Sequence, residues 1–507
     1  MKEIVIFKIH PAIGIARIGN SPDKFFIGPE IPGINKIPAG GYKDEKMRVK
    51  RQAARFRIFG YDQEGNVVKE ITSANADIRW SVHLANKKAS WREFDGLNAN
   101  RPLRNRLEKN RNKLIIDPGE RTLDKIQTSA LFDTGFFYDR KVPLGEMRMD
   151  KNGRLLVLGG FGNSASINNK PPIQYANNNG WYDDVSDGPV HAQVKLKGSS
   201  TFEESLPAWV ICPPPDFAPS LANVISLYDT LIQVAIDKLN HQLPEVPSFT
   251  NDIYPILQRA NNMKWVSKMM WKKHQRQGSR PASMQSKHKD MEDSMPLIID
   301  DSLRQKVFAK LTNPYEPLEG EDNDMPMLWS DYYLEEKRDN GNFRNQTLCK
   351  WQYDYFEKWA RGFFNDDWVG VSETSTDITP GGLDKAALEN CIGGAFYPGI
   401  EASWYLRDHY QFIELFRLSH TLLSAGDITK QMALPWQADF FDCQQEDELS
   451  WWPAQRPDEV FVKGSPNMHL WTRKHVNGYQ GMVDKWHHLG FVIKEGETYI
   501  ESERNPL

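Results

Sequence analysis

The stretch "ADFFDCQQEDELSWWPAQRP", residues 438 to 457, gathers a carboxylate, a thiol and two indoles: Asp439, Cys443, Trp451 and Trp452. A carboxylate can take up a proton, a thiolate can bond covalently to another group, and an indole is an electron-rich ring open to oxidation. If residues 438–443 are helical, Asp439 and Cys443 stand at i and i+4 and share a face. The polar run "QQEDELS" then turns the chain back and could bring an indole against the thiol. Each residue also has a plainer reading. A lone cysteine packs as a small hydrophobe, an aspartate commonly caps a helix, and tryptophans fill cores. Only the joint setting raises the chemical reading above these.

Other arrangements point to less. The glycine pairs 159–160 and 393–394 lack both the lysine spacing of a phosphate loop and a GxGxxG before a helix. His487 and His488 are adjacent, so on a helix they point about 100° apart, and no further ligands stand at metal-site spacing. "KKHQRQGSRPASMQSKHK", 272–289, is basic but has no aromatic platform, which makes it a surface loop rather than a nucleic-acid arm.

The chain has 507 residues and is 40% hydrophobic, enough for two or three domains or one large one. Lys and Arg total 63 against 67 Asp and Glu, so overall charge draws it to neither nucleic acid nor anionic membrane. Its four cysteines have no ligand spacing and read as reduced thiols. The apolar start "IVIFKIH" is too short for a signal peptide or a spanning helix, and the expected location is the cytoplasm, with export by a non-standard route open.

The elements that must position the reactive stretch divide near residue 218. Residues 1–218 read as a β-rich domain: "IVIFKIH", "FRIFGY", "IRWSVHLA", "NKLIID" and "GRLLVLGG" are β-type runs separated by turn residues. "NNKPPIQYANNNGWYDDVSDGP" is too rich in Asn, Gly and Pro for regular structure, and such long loops are often functional. Residues 219–507 read as a mixed, helix-rich domain. "SLANVISLYDTLIQVAIDKL" has helical periodicity with Pro219 and Ser220 at its start, "NQTLCKWQYDYFEKWARGFF" is a second helix, and Leu383 to Asn390 a short third. The fold class is α+β.

Nine segments then carry a resemblance, in order along nearly the whole chain. They are "HPAIGIARIGNSPDKFFIGPE", "WSVHLANKKASW", "LIID", "GRLLVLGG", "GWYDDVSDG", "PDFAP", "PGIEASW", "PWQADFFDC" and "WWPAQRP". Together they resemble the L-lysine 6-oxidase and glycine oxidase family, quinoproteins that carry cysteine tryptophylquinone.

The resemblance implies a cofactor made from Cys443 and Trp452, with Trp451 the alternative partner, after a FAD-dependent flavoprotein oxygenates the tryptophan. It implies an oxidase in which the quinone takes a primary amine as a Schiff base and Asp439 removes the adjacent proton. Dioxygen then reoxidises the ring, with release of ammonia, hydrogen peroxide and an aldehyde or keto acid. Burial of Asp439 among aromatics is expected to raise its pKa toward that of a working base. Tyr175, Tyr397 and Trp451 are the expected substrate-lining residues, and a homo-oligomer is expected. Two features depart from the pattern. Tyr397 stands where the lysine enzymes have cysteine and the glycine enzymes histidine, and only eight residues separate Cys443 from Trp452. These put both known substrates in doubt and leave open an amino acid, a peptide terminus or a natural-product intermediate. A protein of this fold that binds a ligand without maturing its quinone is the remaining alternative.

Overall fold

The strand Arg51–Tyr61 is buried along almost its whole length although it holds three arginines, Arg51, Arg55 and Arg57. Each of these is paired: Arg51 with Glu146, Arg55 and Arg57 with Glu30, and Arg57 also with Glu70. A charge can be buried only with such a partner. The computed structural model describes residues 3–94, 101–275, 300–315, 325, 328–329, 345–368, 377–393, 399–401, 405–407, 409–442, 453–496 and 498–506.

Among the described residues, Arg51–Tyr61 is the axis of a seven-stranded sheet. Ile6–His10 and Val67–Ile71 pair antiparallel with its second half, and Leu155–Leu158 pairs antiparallel with its first half. A six-stranded sheet runs Ile13–Ile15, Ala208–Cys212, Ser186–Leu196, Ala76–Val82 and Arg121–Leu123, with Glu203–Glu204 at one side. The two sheets close over one apolar layer that includes Ile9, Phe56, Val157, Trp80, Val190 and Val210.

Successive side chains of a strand face opposite ways, and Ala208–Cys212 uses both faces. Ala208, Val210 and Cys212 enter the layer between the sheets, while Trp209 and Ile211 join a second core with the helices. Gly14 shows how closely the strands approach that layer, since a Cβ there would come within 2.4 Å of the Phe56 ring. The molecule is therefore α+β, with a β-rich N-terminal region and helices in the C-terminal half.

The helices are Leu227–Lys238, Tyr254–Asn262, Lys268–Gln275, Asp301–Phe308, Lys350–Ala360, Pro380–Leu388, Trp436–Asp442 and Gly478–Lys485 among the described residues. Four expectations need correcting. The first helix starts at Leu227, not near Pro219, because Ser226 and Asp229 form a capping box that satisfies the first orphan N–H groups. "NKLIID" is a 3-10 turn, Arg111–Leu114, followed by a single bridge from Ile116 to Asn86. The basic segment begins inside the helix Lys268–Gln275, and residues 276–289 lie outside the described residues. The irregular stretch after residue 168 ends early, in the strands Trp181–Tyr182 and Ser186–Leu196. No helix among the described residues is long and apolar enough to cross a membrane.

Candidate active site

Asp439 lies on the helix Trp436–Asp442, whose residues Trp436 through Phe440 are all buried. A short helix buried on every side takes its stability from packing rather than from propensity. Trp436 stacks edge-on against Phe440 and Trp486, and Phe441 against Tyr479. Tyr479 also donates to the Asp442 carboxylate at 3.0 Å. Asp439 itself is 3% exposed.

The entry to this helix is docked on the segment that carries Tyr175. Leu434 N donates to Ala176 O at 2.9 Å, and Asn178 Nδ2 donates to Leu434 O at 2.8 Å. Tyr175 is half-buried, edge-on to Phe94, and packs with Ala176 and Ala433. The side chain of Gln437 bridges to the glycine-rich loop, accepting from Ser164 and donating to Gly162 O.

Below the helix sits a fully buried ionic group. Lys88 donates to Asp183 Oδ2, and the same oxygen accepts from Trp436 N at 3.0 Å. Asn86 Nδ2 donates to the other carboxylate oxygen at 3.0 Å. Arg104 reaches in beside them, donating to Asn177 Oδ1 and to Lys88 O. Burial lowers the pKa of Lys88, against the pull of Asp183 and, more weakly, of Asp439. Burial likewise lowers Arg104, to about 10.

The neighbouring Asp184 accepts from Phe161 N and Asn163 N through one oxygen. Burial pushes it up to about 7. Gly160 is explained by this contact, because a Cβ there would lie 2.5 Å from the Asp184 carboxyl carbon. Gly160 thus admits a carboxylate of the chain itself, while Gly159 makes room for Ala16 O. Asp187 fastens another C-terminal segment, accepting from Trp209 Nε1, Ile428 N, Thr429 N and Thr429 Oγ1.

Cys443, Trp451 and Trp452 lie outside the described residues, as does Tyr397. Their flanks are well fixed. Arg456 Nε donates to Phe440 O at 2.6 Å, so the chain just after position 452 is tied to the helix just before position 443. Ala454 N donates to Asn223 Oδ1, and Gln455 bonds Asn223, Asn390 O and Phe217 N. On either side of Tyr397, Gly393 N donates to Ile225 O, and Glu401 accepts from Arg17 Nη2 at 2.7 Å and from Ile392 N at 3.0 Å.

Models of the L-lysine epsilon oxidase N-terminal and C-terminal domains match residues 10–212 and 333–471. The chain belongs to the L-lysine epsilon oxidase family. It is 27% identical to an L-lysine 6-oxidase of Marinomonas mediterranea, over 98% of this chain and 89% of that one. The solved ε-lysine oxidase of the same organism shares the fold with a TM-score of 0.79 at 24% identity, covering 98% of this chain and 95% of its own. A structure of the Schiff base intermediate of that L-Lys ε-oxidase with L-Lys gives 0.76 at the same identity and coverage. In this family member, the docking groups that reasoning from sequence missed are Lys88, Asp183, Arg104 and Arg456. The first two stand within "WSVHLANKKASW" and "GWYDDVSDG", yet nothing local marks a charged residue there as buried.

Proposed function

We propose that this chain is a cysteine tryptophylquinone-dependent amino-acid oxidase whose cofactor forms from Cys443 and Trp452, with Trp451 as the alternative indole. The observation that carries this is the bond from Arg456 to Phe440 O, which holds together the two ends of the segment containing the thiol and the indoles. Segment ends drawn together in this way suit a covalent link across them. Family membership and the resemblance to quinoproteins support the same reading.

Once formed, the quinone supplies an electrophilic carbonyl for a primary amine and a store for two electrons that dioxygen removes. The other tasks fall to side chains of the chain. Asp439, buried on the helix Trp436–Asp442 and four residues before Cys443 in sequence, accepts the proton from the carbon that bears the amine. The packed helix keeps its carboxylate in place and bulk water away. Tyr175, Tyr397 and Trp451 line the substrate, and Tyr397 sets its side-chain preference. The reaction releases ammonia, hydrogen peroxide and an aldehyde or keto acid. A flavoprotein matures the chain, which works as a homo-oligomer.

The test is peroxide release by the chain co-produced with its flavoprotein, offered amino acids and simple amines. Turnover of at least one amino acid is expected, and Asp439→Asn, with its chromophore intact, is expected to lose about 100-fold or more in kcat. Undiminished turnover by that variant would remove Asp439 from the reaction.

A further inference from the structure

A partly open cavity of about 260 Å³ lies between the segment 26–36 and the helix Pro380–Leu388. It is just smaller than the roughly 300 Å³ at which small-molecule pockets begin. Much of its wall is apolar, with Ile15, Phe26, Ile34, Ile378 and Leu383 among the lining residues. Arg17, Asp216 and Tyr42 also line it and are only 4%, 6% and 3% exposed. Arg17 gives its hydrogen bonds to Glu401 at 2.7 Å, Pro214 O and Asn390 O, and stands 4.0 Å from Asp216 Oδ2. Asp216 Oδ1 accepts from Ala218 N at 2.9 Å, whereas Oδ2 accepts no hydrogen bond among the described residues. A carboxylate offers about four acceptor sites, and a buried polar group is nearly always bonded. Burial pushes Asp216 up to about 6, so near neutral pH it is charged. One guanidinium thus serves two carboxylates, and the unmet negative charge is the one that lines the cavity.

Tyr42 adds a second unmet group. Its ring is fixed by stacking on Phe491 at 4.9 Å and by an edge contact with Phe26 at 5.5 Å. Its hydroxyl makes no hydrogen bond among the described residues, and burial pushes it up, so it stays protonated. The other charged groups of the lining are occupied elsewhere: Glu30 accepts from Arg55, and Lys36 is exposed. We infer that this cavity binds a small organic molecule through a primary ammonium group, which donates to Asp216 Oδ2 and to the Tyr42 hydroxyl while its apolar body lies against Ile15, Phe26 and Leu383. An ammonium brings the missing positive charge and three N–H donors, which neither a neutral alcohol nor an anion supplies. The site is separate from the one proposed for oxidation, since neither Asp439 nor Tyr175 lines it, and it requires no quinone.

The test uses the full chain made without its flavoprotein, so that no quinone captures an amine. Calorimetric titration near neutral pH compares hexylamine, hexanol and hexanoate, three probes of one length that differ in the charge of the head group. Hexylamine is expected to bind saturably with one site per chain, hexanol about 10-fold or more weakly, and hexanoate weakest of all. Asp216→Asn is expected to weaken hexylamine by about 10-fold or more, and Tyr42→Phe by a smaller factor. Ala387→Phe, which obstructs the cavity while keeping Asp216, is expected to abolish binding. Asp439→Asn is expected to bind as the parent chain does. The inference is overturned by hexylamine that fails to saturate, by hexanoate that binds as well, or by undiminished binding in Asp216→Asn. Should that variant fail to fold, undiminished binding in Ala387→Phe overturns it instead. Binding lost in Asp439→Asn and kept in Asp216→Asn would place the amine at the oxidation site and also overturn it. Absence of oxidase activity in the matured chain would sink the proposed function while leaving the calorimetric result standing.

Discussion

Two buried ionic groups stand at the described flanks of the segments that carry the proposed reactive residues, and they differ in how their charges are met. Beneath the helix that leads to Cys443, Lys88 and Arg104 share Asp183. At Ile392 and Glu401, on either side of the segment that holds Tyr397, Arg17 stands between Glu401 at 2.7 Å and Asp216 at 4.0 Å. The second group contains its own counter-charges, and Arg17 also donates to Pro214 O and Asn390 O. It acts as a brace. The first places two buried cations at the start of the helix that carries Asp439.

Removing the cation of the brace should have the largest effect on stability. Arg17→Met leaves Glu401 fully buried without its partner, and breaking a buried pair from one side costs about 3–5 kcal/mol. Urea unfolding is expected to show that loss, and a midpoint like that of the parent chain would mean that the Arg17 group carries little of the fold. Lys88→Arg, which keeps the charge in the other group, should cost far less.

A smaller effect comes from Asp216. Burial pushes it up to about 6 against the pull of Arg17, whereas its ordinary value is 3.8. A carboxyl raised on folding contributes stability that is fully present below its unfolded pKa and lost as pH rises through its folded one. The contribution of Asp216 therefore fades between about pH 4 and pH 6. Asp216→Asn is expected to gain stability relative to the parent chain over that window, measured by denaturant unfolding at each pH. A difference that stays flat would contradict the assignment of this group as the one with excess carboxylate.

Much of the scaffold was legible in the sequence for physical reasons. Strand alternation marked Ala76–Val82, the apolar run before the glycines marked Leu155–Leu158, and the helix supposed for residues 438–443 is present as far as Asp442. The start of the Leu227–Lys238 helix was misplaced although its signal was present, because Ser226 and Asp229 have capping-box spacing while Pro219 only imitates a helix start. The ionic groups were not legible. Lys88 meets Asp183 across 95 positions, and Arg17 meets Glu401 across 384, so only the folded topology brings them together. Local sequence shows a charged residue without showing whether it is solvated.

The same limit explains why the glycine pair 159–160 resisted reading. Gly160 is required by Asp184, and Gly159 by Ala16 O, which would lie 2.7 Å from a Cβ there; both neighbours come from distant parts of the chain. A composition rich in tryptophan was similarly ambiguous. Trp80, Trp209, Trp359, Trp436 and Trp471 are wholly interior, so the abundance of indoles belongs largely to the cores.

Mass spectrometry of proteolysed chain, co-produced with the flavoprotein, tests the central claim most directly. The account predicts one cross-linked species in which the peptide holding Cys443 is joined to the peptide holding Trp452, heavier by oxygen and lighter by hydrogen than the two alone. Recovery of both peptides separate and unmodified, from a sample that turns over amines, would contradict it.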